Sequence, residues 1–390
     1  PMADVPDLRI RKPGDQSSVR RDGRYVLYWM TAFRRTSWNF SLQRAVEWAR
    51  DLRKPLLILE ALRCGYRWAS DRFHQFVIQG MADNEARLAK RNAFYYPYLE
   101  PEPGAGRGLL AQLAECACVV VSDDFPCFFL PRMVAAAKRQ VPVRFELVDS
   151  NGLLPMRAAD RTFARAFDFR RFLQRNLLPY LEPDSLPDED PLRNCRLPVL
   201  DSLPREILRR WPPAKPQEIA EQPARLSRFP IDHTVTPTAT IGGPDAAERT
   251  LRTFLGEKLP RYGDSRNDPD VDATSGLSPY LHFGHISVHQ VFAETMRRAG
   301  WSPQRVSAKA TGSSHDWWGV DAAVESFLDE LITWRELGYN MCSRTADYDS
   351  YDSLPAWARQ TLAKHADDPR ERVYTLDEFG SAATHDPLWN

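Results

Sequence analysis

The stretch from Tyr25 to Asp149 constrains this chain most, because short uninterrupted apolar runs alternate there with longer amphipathic ones. The first run, YVLYWM at 25–30, precedes NFSLQRAVEWARDLR at 39–53, whose apolar positions recur at helical spacing. PLLILEA at 55–61, AFYYP at 93–97, CVVVSDD at 118–124 and PVRFELVD at 142–149 supply further strand candidates, separated by helical runs near 70–91, 109–116 and 130–140. A strand that is apolar throughout must be covered on both faces, and strands joined through helices run parallel. The pattern predicts an α/β domain, a doubly wound parallel sheet with helices on both sides. Ligands of such sheets sit beyond the carboxyl ends of the strands. No GxGxxG or GxxxxGK[ST] follows any of these strands, and Gly104-Ala105-Gly106-Arg107-Gly108 follows EPEP and reads as a loop.

After Asn151 the texture changes. Proline-punctuated coil with isolated helices runs to about Gly243 and reads as a connector. Within it Arg157, Arg161 and Arg165 recur every four residues, predicting one basic helical stripe that faces solvent or the acidic 182–190 stretch rather than a phosphate. From Asp245 to Asn390 no strand pattern occurs and helix signals dominate. Ser287-x-x-Gln290 and Thr375-x-x-Glu378 read as capping boxes. Val320, Val324, Phe327, Leu331, Trp334, Gly338 and Met341, three and four apart, predict one buried helix over 320–341. The expected organisation is thus 24–150, α/β; 151–243, connector; 244–390, all-α.

Composition narrows the functional classes. Lys plus Arg and Asp plus Glu both number 52, so any basic surface for nucleic acid must be local. The six cysteines form no CxxC pair, and neither an apolar leader segment nor a membrane-length apolar run occurs, which together predict a reduced cytoplasmic protein. The eight histidines make no HExxH, and no GxSxG is present, so a metal site and hydrolase chemistry have no positive support.

Two places could hold chemistry. In the segment 262–284, Thr274, Ser275, Gly276 and Ser278 can present hydroxyl and amide donors to a phosphate, with Arg266 supplying charge; the plainer alternative is a well-capped loop between helices. On the 320–341 run, Glu330 and Trp334 are four residues apart and share a face. A carboxyl beside an aromatic can bond a base edge while the ring stacks on it, and the alternative is a core tryptophan beside a surface ion pair. Trp301, Trp317, Trp318, Trp334, Trp357 and Trp389 crowd the last ninety residues; indoles are usually core, yet several near a redox cofactor could also relay electrons.

At RYVLYWM, VVVSDDFPCFFLPRMV (119–134), RYGDSRNDPDVDATSGLSPYLHFGHIS (261–287), FLDELITWREL (327–337), LPAWARQTLAKHADDPRERVYTLDEF (354–379) and THDPLWN (384–390) the sequence resembles the photolyase/cryptochrome family, and within it the class II cyclobutane pyrimidine dimer photolyases. The resemblance spans about Arg24 to Asn390. It implies the photolyase fold, an α/β antenna domain followed by an all-α domain that holds FAD, and light-driven repair of pyrimidine dimers in DNA by electron transfer from reduced FAD. Carried over by position, Tyr262, Arg266, Thr274, Ser275, Gly276, Leu277 and Ser278 would bind FAD, with Arg335 in the wall between flavin and DNA. Glu330 would hydrogen-bond a thymine carbonyl of the extruded dimer and Trp334 would pack on it. Trp389 would belong to the electron-transfer chain that photoreduces the flavin. A second, antenna chromophore is implied without its identity, and the expected state is a monomer. Family chains continue past the equivalent of DPLWN, so the helical domain over 244–390 is expected to be incomplete at its C-terminal end. The alternatives are a cryptochrome-like flavin photoreceptor and a truncated relative without photochemistry.

Overall fold

Strand β2 (Tyr25–Met30) is buried at every residue, as an all-apolar strand must be. Its residues alternate between two cores: Tyr25, Leu27 and Trp29 face one side, Val26, Tyr28 and Met30 the other. The computed structural model describes residues 4–14, 18–193 and 195–390. Around β2 lie β3 (Leu56–Leu62), β4 (Phe94–Leu99), β5 (Ala117–Asp123) and β6 (Arg144–Val148), in the spatial order β6-β5-β2-β3-β4 and all parallel. The five strand candidates all form. A sixth strand, β1 (Ile10–Arg11), adds antiparallel to β6; two residues carry no readable period.

The crossovers are α1 (Phe40–Leu52), α2 (Asp71–Leu88), α3 (Leu109–Glu115) and α4 (Leu130–Lys138). Asn39 caps α1 by accepting from the amides of Ser41 and Leu42 at 2.9 and 3.2 Å, and Ser70 caps α2.

The segment read as a connector is packed along most of its length. Leu153, Phe163, Phe169, Leu173 and Leu177, the last three on or beside α5 (Ala166–Asn176), belong to the core of the helical half. Further on, α6 (Arg205–Arg210) and α7 (Pro216–Glu221) return to the sheet, with Leu203, Ile207 and Trp211 closing one core and Ile219 packing near α2. Its apolar residues are too dispersed to show a period, yet each fills a gap between elements. The basic stripe does not form: Arg157 lies in a single 3₁₀ turn and bonds the Ile10 carbonyl at 2.7 Å, Arg161 covers the Phe163 ring, and Arg165 precedes α5. The acids meant for it pair elsewhere, Asp190 with Arg91 and Glu189 with Arg297.

The helical half up to Arg344 comprises α8 (Pro244–Thr253), α9 (Leu259–Ser265), α10 (Ser278–His282), α11 (Val288–Arg298), α12 (Ala322–Leu328) and α13 (Arg335–Arg344). Two π-helical turns interrupt it, Phe254–Lys258 between α8 and α9 and Asp329–Trp334 between α12 and α13. Ser287 caps α11 through the His289 amide, without the reciprocal Gln290 bond of a capping box, and the Gln290 side-chain NH2 group donates to Glu294. The described residues up to Arg344 form one compact unit and Thr345–Asn390 a second. The second carries α14 (Ala356–Lys364) and α15 (Leu376–Gly380), the latter opened by the full Thr375/Glu378 capping box. Among the described residues no helix is long and apolar enough to cross a membrane, and no cluster of acidic, His and Cys side chains could hold a metal ion.

Candidate functional site

The carboxyl end of the sheet, where a doubly wound fold usually takes its ligand, is filled from within. Asp123, at the end of β5 and 1% exposed, accepts from the backbone amides of Thr31, Ala32 and Phe33 at 2.8, 2.7 and 2.9 Å and from the Tyr28 hydroxyl at 2.8 Å. Gly284 then enters from the helical half with φ +75°, and a Cβ there would lie 1.8 Å from the Ala32 carbonyl oxygen. Arg35, buried, donates to the Gly284 carbonyl at 3.1 Å. The crevice between β2 and β5 is therefore a joint between the halves. Residue periodicity gave no sign of Asp123 in this role.

Four candidates of the helical half, Tyr262, Arg266, Glu330 and Trp334, lie on or beside the two π turns. Phe254, in the first, packs at 4.6 Å from Phe327, and Tyr262 on α9 stands edge-on to both at 5.7 and 5.3 Å. This aromatic floor supports Arg266, whose guanidinium lies 5.7 Å over the Tyr262 ring and forms a short ion pair with Glu330. Burial raises the Tyr262 phenol above its ordinary range, against the opposing pull of Arg266. Tyr262, Arg266 and Glu330, separated by up to 68 positions, thus form one cluster, with Arg266 and Glu330 both partly exposed.

The second π turn decides what its side chains face. A π turn carries one extra residue, so the apolar stripe expected along 320–341 breaks there. Val324, Phe327 and Leu331 are buried as predicted, but Trp334 is 50% and Met341 37% exposed, and Gly338 is exposed too. Thr333, Glu336 and Asn340 are buried instead. The core-tryptophan alternative is thereby removed: Trp334 presents its ring outward, next along the turn from Glu330. The start of the turn is pinned from α5, where Arg170 makes a bidentate pair with Asp329 at 2.7 and 2.8 Å. Neither partner stood out in the sequence, because nothing links positions 170 and 329 before folding.

The segment 274–278 lies over α8, with Gly276 at φ +68° and only the Thr250 methyl within 4 Å of a Cβ placed there. Leu277 turns inward and is 1% exposed, so its side chain is core; its amide donates to the Ser275 hydroxyl at 3.3 Å. The amides of Thr274, Ser275, Gly276 and Ser278, and the hydroxyls of Thr274 and Ser278, find no acceptor or donor among the described residues. Unengaged donors around an accessible glycine suit an anionic oxygen group, so the donor set fits the phosphate end of a dinucleotide. Arg266 is engaged by Glu330, which leaves these neutral donors as the group most open to such a ligand.

Arg335 points to the turn after β6. It donates to the Asn151 carbonyl at 2.6 Å and lies 4.7 Å over the Tyr339 ring. Its neighbour Glu336, fully buried, accepts from the amides of Leu153 and Leu154 at 2.7 and 3.2 Å. Burial drives the Glu336 carboxyl up to about 7, against those two bonds and the nearby Arg335 and Arg9 charges. Asn340 continues the seam, accepting from the Phe163 amide at 3.0 Å and donating to the Arg161 carbonyl at 2.9 Å. The two histidines flanking Gly284 are engaged structurally: His285 accepts the Gly243 amide at 2.9 Å and burial lowers it to about 3, and His282 lies edge-on to Phe128. In the second unit, Trp389 is 59% exposed, donates to the Phe379 carbonyl at 3.2 Å and stands edge-on to that ring at 5.0 Å.

The chain is 33% identical over 384 residues to a protein named deoxyribodipyrimidine photolyase from Methanothermobacter thermautotrophicus, covering 98% of this chain and 75% of that one. Proteins of the same name from Arabidopsis thaliana and Potorous tridactylus are 27% and 25% identical, each over 98% of this chain and over 72% and 65% of their own length. Among solved structures, a class III photolyase from Agrobacterium tumefaciens superposes with a TM-score of 0.56 at 18% identity, over 90% of this chain and 66% of that one. A Synechocystis cryptochrome superposes with 0.54 at 15% identity, over 82% of this chain and 61% of that one. These two share the fold. No protein-family model matches the chain.

Proposed function

Since the chain belongs to the photolyase/cryptochrome family, we propose that it is a DNA photolyase of class II type that repairs cyclobutane pyrimidine dimers under light. The observation that carries this reading is the Tyr262–Arg266–Glu330 cluster with the exposed Trp334 beside it on the same π turn. An ion pair at the surface needs a reason to be held on an aromatic floor, and an extruded base is a partner that both groups suit. Paired with Arg266, Glu330 can only accept, so its bond to the base runs to a ring N–H in place of the thymine carbonyl that the resemblance implies, and Trp334 offers a face for stacking.

Thr274, Ser275, Gly276 and Ser278 would hold the phosphates of FAD through backbone amides and hydroxyls, with Leu277, its amide taken by the Ser275 hydroxyl and its side chain in the core, fixing the loop, and with Tyr262, Arg266 and Arg335 completing the cofactor's surroundings. Reduced FAD, when bound, supplies the photoexcited electron that opens the cyclobutane ring. The residues of the chain bind the lesion, orient it and exclude water. In this reading residues 24–150 are the antenna domain and 244–390 the flavin domain, joined through 151–243. Trp389 serves electron transfer to oxidised flavin, and the partner is DNA with pyrimidine dimers, bound more weakly as salt rises.

The test is to load the protein with FAD, reduce it fully, illuminate it with dimer-containing DNA and count the dimers. Loss of dimers in the light but not in the dark is expected. Persistence of dimers with flavin bound points to the photoreceptor alternative, and absence of flavin absorption after loading points to a relative without photochemistry.

A further inference from the structure

The π turn that carries Glu330 and Trp334 is fixed at both ends by partners outside its own helix. Beyond it, Glu336 and Asn340 bond the backbone at Leu153, Leu154, Arg161 and Phe163. At its start the anchor is Arg170 of α5. The Nε and Nη2 of Arg170 donate to the two Asp329 carboxylate oxygens at 2.7 and 2.8 Å, and its Nη1 donates to the Gly312 carbonyl at 3.0 Å. Gln174, one turn along α5, accepts the Gly312 amide at 2.8 Å and donates to the Ser313 carbonyl at 2.9 Å. Gly312 has φ +85°, and a Cβ there would lie 3.0 Å from the Phe167 carbonyl oxygen, so this loop fits the face of α5 closely. The same loop returns to α12, where the Glu325 carboxylate accepts from the amides of Asp316 and Trp318 at 2.6 and 2.9 Å. The Arg170 and Asp329 side chains are each 14% exposed. A guanidinium fork held this way, sheltered and bonded on three nitrogens, fixes the orientation of its carboxylate as well as its distance.

We propose, resting on the reading of Glu330 and Trp334 as the pair that meets an extruded base, that Arg170 is a positioning residue for that site. A π turn holds one residue more than the α repeat. With α13 held from Glu336 onward and Asp329 held by Arg170, the extra residue is confined between the two anchors. Once the Asp329 anchor is gone, the segment before Glu336 can close as ordinary helix and pass the extra residue back towards α12. Glu330 then turns about the helix axis by one residue's step, about 100°, and leaves Arg266. Trp334 lies on the α13 side of the turn and keeps its outward direction. Arg170 thus acts through Asp329 and the backbone of the turn. Its loss resembles the loss of Glu330 more than the loss of Trp334: repair of a bound lesion falls, while binding of dimer-containing DNA, which the Trp334 stack supports, is largely kept.

The experiment compares wild type, Arg170→Lys, Asp329→Asn and Glu330→Gln as full chains loaded with fully reduced FAD. Lysine keeps the charge and loses the fork, and asparagine keeps the shape and loses the charge, so both variants are mild enough to fold. Arg170→Lys is expected to lower the repair yield per absorbed photon about tenfold, as Glu330→Gln does, with affinity for dimer-containing DNA within about twofold of wild type. Amide hydrogen exchange over 329–334 should rise at least about tenfold in Arg170→Lys while 337–344 stays protected. Asp329→Asn should give the same pattern, and adding Glu330→Gln to either variant should lower the yield little further. A lower melting temperature with wild-type yield and unchanged 329–334 exchange would make the pair merely structural and overturns the proposal, as does a yield loss that adds in full to that of Glu330→Gln. Exchange is read on the protein alone. A wild type that repairs no dimers therefore defeats the photolyase reading, and the exchange pattern still decides the positioning role: unchanged protection in Arg170→Lys overturns it, and loss confined to 329–334 supports it.

Discussion

Glu330 shows how much one residue's surroundings add to its position. Four residues from Trp334 on a helix, it reads as either a recognition carboxylate or an incidental charge, and the Arg266 pair over the Tyr262 ring ties it to a defined place. Because both partners are partly exposed, the pair contributes little stability, about 0–1 kcal/mol. Glu330→Gln is therefore expected to leave the melting temperature and flavin absorption nearly unchanged while repair slows about tenfold, a loss of about 1.4 kcal/mol in the transition state. Repair yield per absorbed photon at full flavin reduction measures this, and equal yields would remove Glu330 from the reaction. Trp334→Ala should weaken binding of dimer-containing DNA by about 1–3 kcal/mol, the range for a stacked base, with undamaged duplex binding little affected; titration of both DNAs separates the two.

At the scale of elements, α13 is held less by an apolar stripe than by side chains that satisfy the backbone of the irregular segment 151–163. Arg335, Glu336, Asn340 and Arg344 bond the backbone at Asn151, Leu153, Leu154, Ala159, Asp160, Arg161 and Phe163. A coil without ladder or helix partners needs such acceptors and donors when buried. Gly152 permits the approach, since a Cβ there would lie 2.6 Å from the Glu336 carboxyl carbon. Gly152→Ala should cost about 1–3 kcal/mol in denaturant unfolding. In a Glu336→Ala background its cost should shrink, because the clash partner is gone; additive costs would refute the contact.

Over the whole molecule, the seam between the sheet and the helical half concentrates buried titratable groups: Arg9, Arg35, Asp149, Glu336, His285 and His289 are all buried there. Glu336 sits at about 7 when folded against 4.5 for a free glutamate. The folded state therefore binds its proton more tightly than the unfolded chain. Its favourable contribution is complete below pH 4.5 and is lost as pH rises through 7, by up to about 3 kcal/mol. His285 and His289, held down by burial, act in the opposite sense and lose stability as pH falls below 6.5. The measurable quantity is the difference between wild type and Glu336→Gln: from pH 5 to 8, wild type should lose ground against the variant. A difference independent of pH would mean Glu336 does not titrate in that window.

The parallel sheet, the succession of its strands along the chain and the helical character of residues 245–390 were all legible in the sequence, because continuous apolar runs and helical spacing are local facts of burial. The segments 262–284 and 327–337 stood out as candidate places for chemistry through their hydroxyl, glycine and charged residues and the four-residue spacing of Glu330 and Trp334. Which of their residues meet is settled in three dimensions. The Arg266–Glu330 and Arg170–Asp329 pairs, the Asp123 nest and the packing of residues 151–231 arise between positions far apart in the chain. The π turn at 329–334 was hidden for a related reason: periodicity assumes a constant helical repeat, and one extra residue fixed by partners on other elements turned Trp334 outward and Glu336 inward.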